Sequence, residues 1–563
     1  MKNRLGLYFF LLGFLLVLAQ FSVRDFDDRY GRSINGDGKA YYAYLPAIFI
    51  YQQSDFAFIH DIEKKYYPED GSQFKDFLNK QENGTYVNKT FPGLAVLYAP
   101  FFGLGYIASW MGGYDLDGYA APFQWAIAFS HIFYFLAGLW FLMLLFKKFA
   151  IDNRLGFFIG FLLTFGTNCW YYLVYDHSVS HIHSFFLSSV LLYVMERYIS
   201  TQKTKFLGWM GFLLSIIVIT RPTNAVMVLF FPFLLHLKNK RWKEVVSLPM
   251  IFSKALIPYY LVSFSILIIP FILWKWQTGS WVVYSYKDEG FDFMHPHFWE
   301  FLFSFQKGWL LWSPIIGIAL FFAALFHFRQ AIQQGMFFLL PILIATYILS
   351  SWWCWTYGTG FGQRPMIEFL PFIMLGFALA LNAFKRLGIS LLFIFAIPLC
   401  ALSVFQGYQV ANSILKGGET TASDYWSHFL QWKRDAPKVI IPENWQKLQS
   451  REIQNENDIN AKHPYSESIE LTDTVATHLF IHLKIGGKHG ERDTRIVVAD
   501  ADGKFYQTIF LGDFLYEEPR DMEFLIKLPE VITWPLKSYV WNGDQSNESR
   551  VLYFENTLFQ ARQ

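Results

Sequence analysis

Long apolar runs separated by short polar stretches fill the chain to about residue 406, after which short alternating segments take over. A membrane-spanning helix needs about 20 mainly apolar residues, because hydrocarbon offers the backbone no water to bond. Runs of this kind lie at about 5–23, 122–146, 155–174, 178–196, 206–220, 224–237, 255–274, 311–328, 335–353, 366–384 and 388–406. They predict an α-helical polytopic membrane protein with about eleven transmembrane helices. The two short runs 206–220 and 224–237 meet at "TRPTN", where Pro222 cannot continue a helix, and this predicts a broken pair that carries Arg221 to a polar cavity.

Basic residues give the expected sidedness. With a cytoplasmic N-terminus, Lys147, Lys148 and Arg154, then Arg197, Lys203 and Lys205, then Lys238, Lys240, Arg241 and Lys243, then Arg329, and last Lys385 and Arg386 all fall inside. Counting "FPGLAVLYAPFFGLGYIASW" (91–110) as a further span would invert this order. It is therefore expected on the outer face, as an interfacial or re-entrant helix broken by Pro100, within a first outer loop 24–121 that has a second membrane-hugging segment near 39–52. Beyond a linker at 407–464, residues 465–563 alternate apolar and polar positions between Gly, Asn and Asp turns, as in "ATHLFIHLKIGG" and "TRIVVADADGKFYQTIFLG". A C-terminal extracytoplasmic β-sandwich-like domain follows from that pattern.

Composition supports the membrane class. Charged residues make up 16% of the 563, against roughly 25% in an ordinary soluble domain. The 47 basic and 45 acidic residues nearly balance, which leaves no basic excess for nucleic acid. Cys169, Cys354 and Cys400 form neither a disulfide framework nor a zinc pattern. Lys2 and Arg4 before the first run would also suit a signal peptide, but no small-x-small cleavage site follows, so an uncleaved first helix is expected.

Few polar residues carry candidate chemistry. In "SINGDGKAYYAYLPAIF", Asp37 stands between two glycines ahead of an aromatic, amphipathic stretch. It can cap the turn and the helix that follows, or act as a general base toward a hydroxyl. Asp25, Asp27 and Asp28 lie closer to the first helix and read as solvated, or at most as metal ligands. In "YDHSVSHIHSFF", His177 and His181 are four apart and would share a helix face, which suits a metal site or polar contacts to a phosphate or sugar. In "GTGFGQRPMIEFLPF", Arg364 and Glu368 have the spacing of a local i,i+4 pair, yet Arg precedes Glu and Pro365 begins a helix. An arginine beside a glycine loop at a membrane border also suits bidentate binding of a phosphate.

The order of a first helix, an outer loop with an early aspartate, many spans and an outer soluble domain resembles the GT-C superfamily of polyprenyl-phosphate-dependent glycosyltransferases. It is most similar to the protein O-mannosyltransferase and lipid A aminoarabinose transferase branch. "NGDGKAYYAYLP", "KTFPGLAVLYAPFF" and "GFGQRPMIEFLP" carry the resemblance, over about residues 1–406. It implies a polyprenyl-phosphate-linked sugar donor, a glycan, lipid or protein acceptor, and Asp37 taking the proton of the acceptor hydroxyl during an inverting displacement. Arg364 and Arg221 would neutralise the lipid phosphate, and His181, His177 and Tyr41 would contact sugar or phosphate. The family often shows Asp-Glu where this chain has Asp37-Gly38, so a divalent metal held by adjacent carboxylates stays open and no other cofactor is implied. A bacterial inner membrane is the expected location. Two other classes remain: a transporter or flippase of a lipid-linked sugar or small solute, and a non-catalytic scaffold whose sandwich binds carbohydrate or protein.

Overall fold

The computed structural model describes residues 2–23, 33–66, 77–81, 84–177, 179–241, 253–383 and 386–560, apart from 435, 437, 440, 443–444, 455–456, 460–464, 473–474, 488–493, 517, 530 and 543–548. Asp25, Asp27 and Asp28 lie outside the described residues. The chain divides into two compact units, Met1–Tyr408 with Gly417–Thr421, and Gln409–Lys416 with Ala422–Gln563.

The first unit is helical. Seven helices among the described residues are long and apolar enough to cross a membrane: Leu5–Val23, Gly93–Gly112, Ala121–Lys148, Lys254–Thr278, Ile332–Ser350, Arg364–Ala383 and Ile394–Ala411. Four further apolar helices, Asn153–Phe165, Thr204–Thr220, Pro222–Leu237 and Pro314–Gln330, are shorter. The expected eleven spans are therefore not what the helix lengths give. The run 155–174 shows why: its helix stops at Phe165 and a second begins at Cys169, with Gly166 closing the first. Thirteen residues reach only about 20 Å at 1.5 Å per residue, short of the roughly 30 Å of hydrocarbon.

Residues 91–110 also differ from expectation. Gly93–Gly112 is one continuous helix of 20 residues with Pro100 inside it. It packs along Ala121–Lys148 through Phe102 against Phe123 and Phe101 against Tyr134. The break expected at Pro100 is therefore absent, and the proline is carried within an unbroken helix.

Close contacts join these helices at glycines. A Cβ on Gly93 would collide with the backbone nitrogen of Thr220, the last residue before Arg221. Deeper in the unit, Phe230 stacks on Phe372 at 4.1 Å between ring centres, and Phe338 fills the space left by Gly376. At the opposite end of His181–Thr201 from His181, buried Glu196 accepts from Lys238 Nζ at 2.9 Å, a paired charge as burial demands.

The second unit is a sandwich of two antiparallel sheets. One has the order β5 (Ile469–Leu471), β10 (Leu536–Asn542), β7 (Thr494–Ala499), β8 (Tyr506–Phe510). The other has the order β3 (Gln446–Ile453), β11 (Ser549–Gln560), β6 (His478–Gly486), β9 (Arg520–Lys527), with β4 (Asn457–Ile459) also on β11. A short hairpin in the first unit, β1 (Leu78–Lys80) with β2 (Tyr86–Asn88), completes the strands. Alternation along β6 sends Leu479, Ile481, Leu483 and Ile485 into one apolar interior shared by both sheets. β3 and β4 fall within 407–464, the stretch expected as linker, and both pair with β11. Their polar composition hid them: β3 has no fully buried residue.

Gly93→Ala is expected to destabilise the purified protein by about 1–3 kcal/mol, because the new methyl meets backbone that cannot rotate away. A melting temperature within a degree of the unsubstituted protein would contradict this packing.

Candidate active site

Five segments far apart in sequence line one cavity of about 460 Å³. Asp37 and Tyr41 come from the helix Asp37–Pro46, and Lys89 from the end of the β1–β2 hairpin. Arg221 comes from the break between Thr204–Thr220 and the 3₁₀ turn Pro222–Leu229. Tyr286, Glu289 and Phe291 come from a loop after Ile269–Thr278, and Trp352, Trp353, Tyr357 and Arg364 from the segment that leads into the 3₁₀ turn Arg364–Phe369.

The Asp37 helix is not the interfacial amphipathic helix expected from its tyrosines: Gly38 through Pro46 are all buried. Two of its three tyrosine hydroxyls bond to carbonyls inside, Tyr42 on the Gly118 carbonyl and Tyr44 on the Thr90 carbonyl at 2.7 Å. Asn88 Nδ2 donates to the Ala40 carbonyl at 2.8 Å and ties the helix to the hairpin. Gly36, at φ 48°, makes the left-handed turn that starts the helix, and Gly38 N bonds back to the Asn35 carbonyl. Asp37 does not cap this helix. It is the first helical residue, and its carboxylate leaves the helix for the cavity.

There it meets Arg364. The guanidinium Nη2 donates to Asp37 Oδ2 at 2.5 Å, with the Arg364 side chain 14% exposed and that of Asp37 51%. Burial alone would raise the Asp37 carboxyl, but the charges of Arg364, Lys89 and Arg221 outweigh it and hold the group below the usual carboxylate range. Burial pushes the Tyr41 phenol up, so it stays a proton donor at neutral pH.

Arg364 and Glu368 do not form the local pair their spacing allows. The turn they share is 3₁₀, in which residues three apart align and residues four apart do not. Glu368 turns inward, where Oε1 accepts from His181 Nδ1 at 2.8 Å and forms an ion pair with Arg221, whose Nε lies 3.4 Å away outside hydrogen-bond geometry. Glu368 and His181 are both buried, so His181 sits behind Arg221 and supports it without lining the cavity. A further contact to Arg221 is the face of Tyr357, 6.0 Å from the guanidinium carbon.

His177 goes elsewhere. The helix begins only at His181, so the two histidines share no helical face. His177 Nε2 lies 2.8 Å from Gln20 Nε2 and 2.8 Å from the Leu173 carbonyl, and its ring packs against His131, away from the cavity. No group of three or more His, Cys, Asp or Glu among the described residues is placed to hold a metal ion. Among the described residues, the Asp37 carboxylate is turned to Arg364 and that of Glu368 to Arg221.

The loop that delivers Arg364 depends on its glycines. Gly358, Gly360 and Gly362 have φ of 70°, 104° and 57°, conformations a side chain resists. Fully buried Lys307 donates to the Thr359 carbonyl at 3.1 Å within this loop, and Gln363 Nε2 donates to the Trp355 carbonyl at 3.3 Å. Burial, reinforced by the charge of Arg364, drives the Lys307 amine well below the ordinary lysine range. Lys307, Lys89 and Glu289 had no readable signal in the sequence. The aromatic wall did, in "SSWWCWTYGTG", though only as a belt residue pattern.

The depressed carboxyl of Asp37 sets a pH dependence. Its ion pair contributes stability at every pH above the unfolded carboxyl value of about 3.9, and loses it as pH falls through the lower folded value. The difference in melting temperature between the unsubstituted protein and Asp37→Asn should be constant from about pH 5 to 8 and shrink only below about pH 4. A difference that already shrinks near neutrality would contradict the pairing.

No protein-family model matches this sequence, and no curated protein is significantly similar to it. Among solved structures, the chain is similar to the arabinosyltransferase EmbB from Mycobacterium smegmatis, determined by single-particle cryo-EM, at 9% sequence identity and a TM-score of 0.30. The match covers 83% of this chain and 59% of that one, so the chain spans under two thirds of EmbB's length. A superposition at that score transfers no residue role, and the site stands on its own geometry.

Proposed function

We propose that this integral membrane protein is a glycosyltransferase that moves a sugar from a polyprenyl-phosphate donor to an acceptor hydroxyl with inversion. The observation that supports this most directly is the exposed Asp37 carboxylate set against Arg364, with Arg221 in the same cavity. A base and a cluster of cations at one spot match the two charges that such a displacement develops, a proton to remove and a phosphate to release.

The atoms balance in a single step. The acceptor oxygen forms a bond to the anomeric carbon while its proton passes to Asp37. The bond from that carbon to the phosphate oxygen breaks, and its electron pair leaves on the lipid phosphate. Attack opposite the leaving group inverts the carbon. Arg364 and Arg221 stabilise the departing phosphate dianion, and Glu368 with His181 keeps Arg221 aimed at it.

Only one guanidinium donor of Arg364 is on Asp37, so a phosphate can bind the others, and its negative charge beside Asp37 would make that carboxylate a stronger base. Donor binding would thus activate the base. The reading places the cavity at the outer surface of a bacterial inner membrane, where lipid-linked sugars and envelope acceptors meet.

The flippase alternative is separable by the same experiment. In proteoliposomes supplied with lipid-linked sugar extracted from host membranes, the protein should consume the donor, and Asp37→Asn should lower turnover by at least about a thousandfold while the folded fraction is unchanged. Arg364→Ala should cost about a hundredfold in kcat/KM. Full activity in Asp37→Asn would remove the base, and translocation of intact donor without consumption would favour the transporter.

A further inference from the structure

The cavity has a second side that the displacement leaves unused. Lys89 Nζ lies 3.1 Å from Glu289 Oε1, and both side chains keep about a quarter of their surface open (27% and 28%). Beside them stand Phe291, Trp352, Trp353 and Tyr286. Phe291 and Trp352 contact at 4.8 Å between centres, and Tyr286 meets Trp352 edge-on at 5.7 Å. Trp353 is 58% exposed.

This side is held in place before any ligand arrives. Phe291 and Trp352 form an antiparallel bridge, flanked by bonds from Trp353 N to the Gly290 carbonyl at 3.0 Å and from Asp292 N to the Ser351 carbonyl at 2.7 Å. Ser285 Oγ donates to the Lys89 carbonyl at 2.9 Å, and Asn79 Nδ2 to the Ser285 carbonyl at 2.6 Å, so loop and hairpin are stapled together. Burial pushes the Tyr286 phenol far up, and both Asp37 and Glu289 add to the shift. Its ring is therefore within electrostatic reach of the base and of the Lys89–Glu289 pair.

We infer that Lys89, Glu289 and the wall of Phe291, Trp352 and Trp353 form a carbohydrate subsite, and that the acceptor is a glycan hydroxyl. The inference rests on the glycosyltransferase reading above. A sugar ring presents a face of C–H bonds and a rim of hydroxyls. The face packs on indole and phenyl rings, while neighbouring hydroxyls donate to a carboxylate and accept from an ammonium. Lys89 and Glu289 occupy only part of each other's hydrogen-bonding capacity, so both can serve a diol at once. A lipid tail would strand this pair in an apolar contact, and a second phosphate would meet the negative charge of Glu289. The carboxylate thus sorts the two substrates, with phosphate to Arg364 and Arg221 and the neutral polyol to the wall.

The test uses the full chain in proteoliposomes with radiolabelled lipid-linked sugar extracted from host membranes. Three acceptor preparations are offered separately: envelope polysaccharide freed of lipid and protein, delipidated membrane protein, and the lipid extract. Label is expected in the polysaccharide. Glu289→Gln and Trp353→Ala should each raise the KM for that acceptor about tenfold, and leave acceptor-independent hydrolysis of the donor unchanged. Trp353→Phe, which keeps a ring, should recover most of the affinity and separates loss of stacking from loss of fold. Label in protein or lipid, or a polysaccharide KM indifferent to Glu289→Gln and Trp353→Ala, would overturn the subsite while the transferase stands. A protein that neither hydrolyses nor transfers the donor would overturn both.

Discussion

A buried guanidinium requires a carboxylate, and at this site two such requirements are met by crossing partners. Arg364 reaches across more than three hundred residues to Asp37, while Glu368, four positions from Arg364, turns away to Arg221 and His181. Unpaired, the buried charges of Arg364, Arg221 and Glu368 would pay heavily for leaving water. The 3₁₀ turn that separates Arg364 from Glu368 therefore decides which segments must meet. It draws the Asp37 helix to one side of the 364–369 turn and the break at Arg221 to the other.

The rest of the first unit serves that crossing. Gly93 lets one helix lie against the backbone at Thr220, just before Arg221. Lys307 holds the glycine loop ahead of Arg364 from behind, and the tyrosines of the Asp37 helix anchor it through carbonyls of distant loops. None of these residues has to touch a substrate. Their effect is to keep one carboxylate and two cations in fixed relative positions, the preorganisation that the proposed displacement needs.

The two carboxylates that face the cavity have different partners and so different chemistry. Asp37 is paired with Arg364, with Arg221 in the same cavity. Glu289 is paired with Lys89 beside a wall of rings. A second carboxylate, absent from the Asp37 turn where Gly38 stands, reaches the cavity from another loop as Glu289. The β-sandwich, with its own closed interior, folds around an apolar set that owes nothing to this site.

Periodicity alone determined the class of this protein. Apolar runs in the first four hundred residues and alternation after them can be satisfied only by helices in lipid and by a sandwich in water, because each pattern has one way to bury its apolar face. The helix break at "TRPTN" was legible for the same local reason, since proline acts on its own neighbours. Span count, the continuity of 93–112 and the strands at 446–459 were not, because helix ends and edge strands depend on what packs against them. The functional side chains divide in the same way. Asp37, Arg221 and Arg364 stood out as costly charges beside apolar runs, but their pairing, the removal of His177 to another cluster and the recruitment of Lys89 and Glu289 required the folded chain. Local sequence can mark a charge as expensive, and only the tertiary structure decides which opposite charge lies within a few ångströms to compensate it.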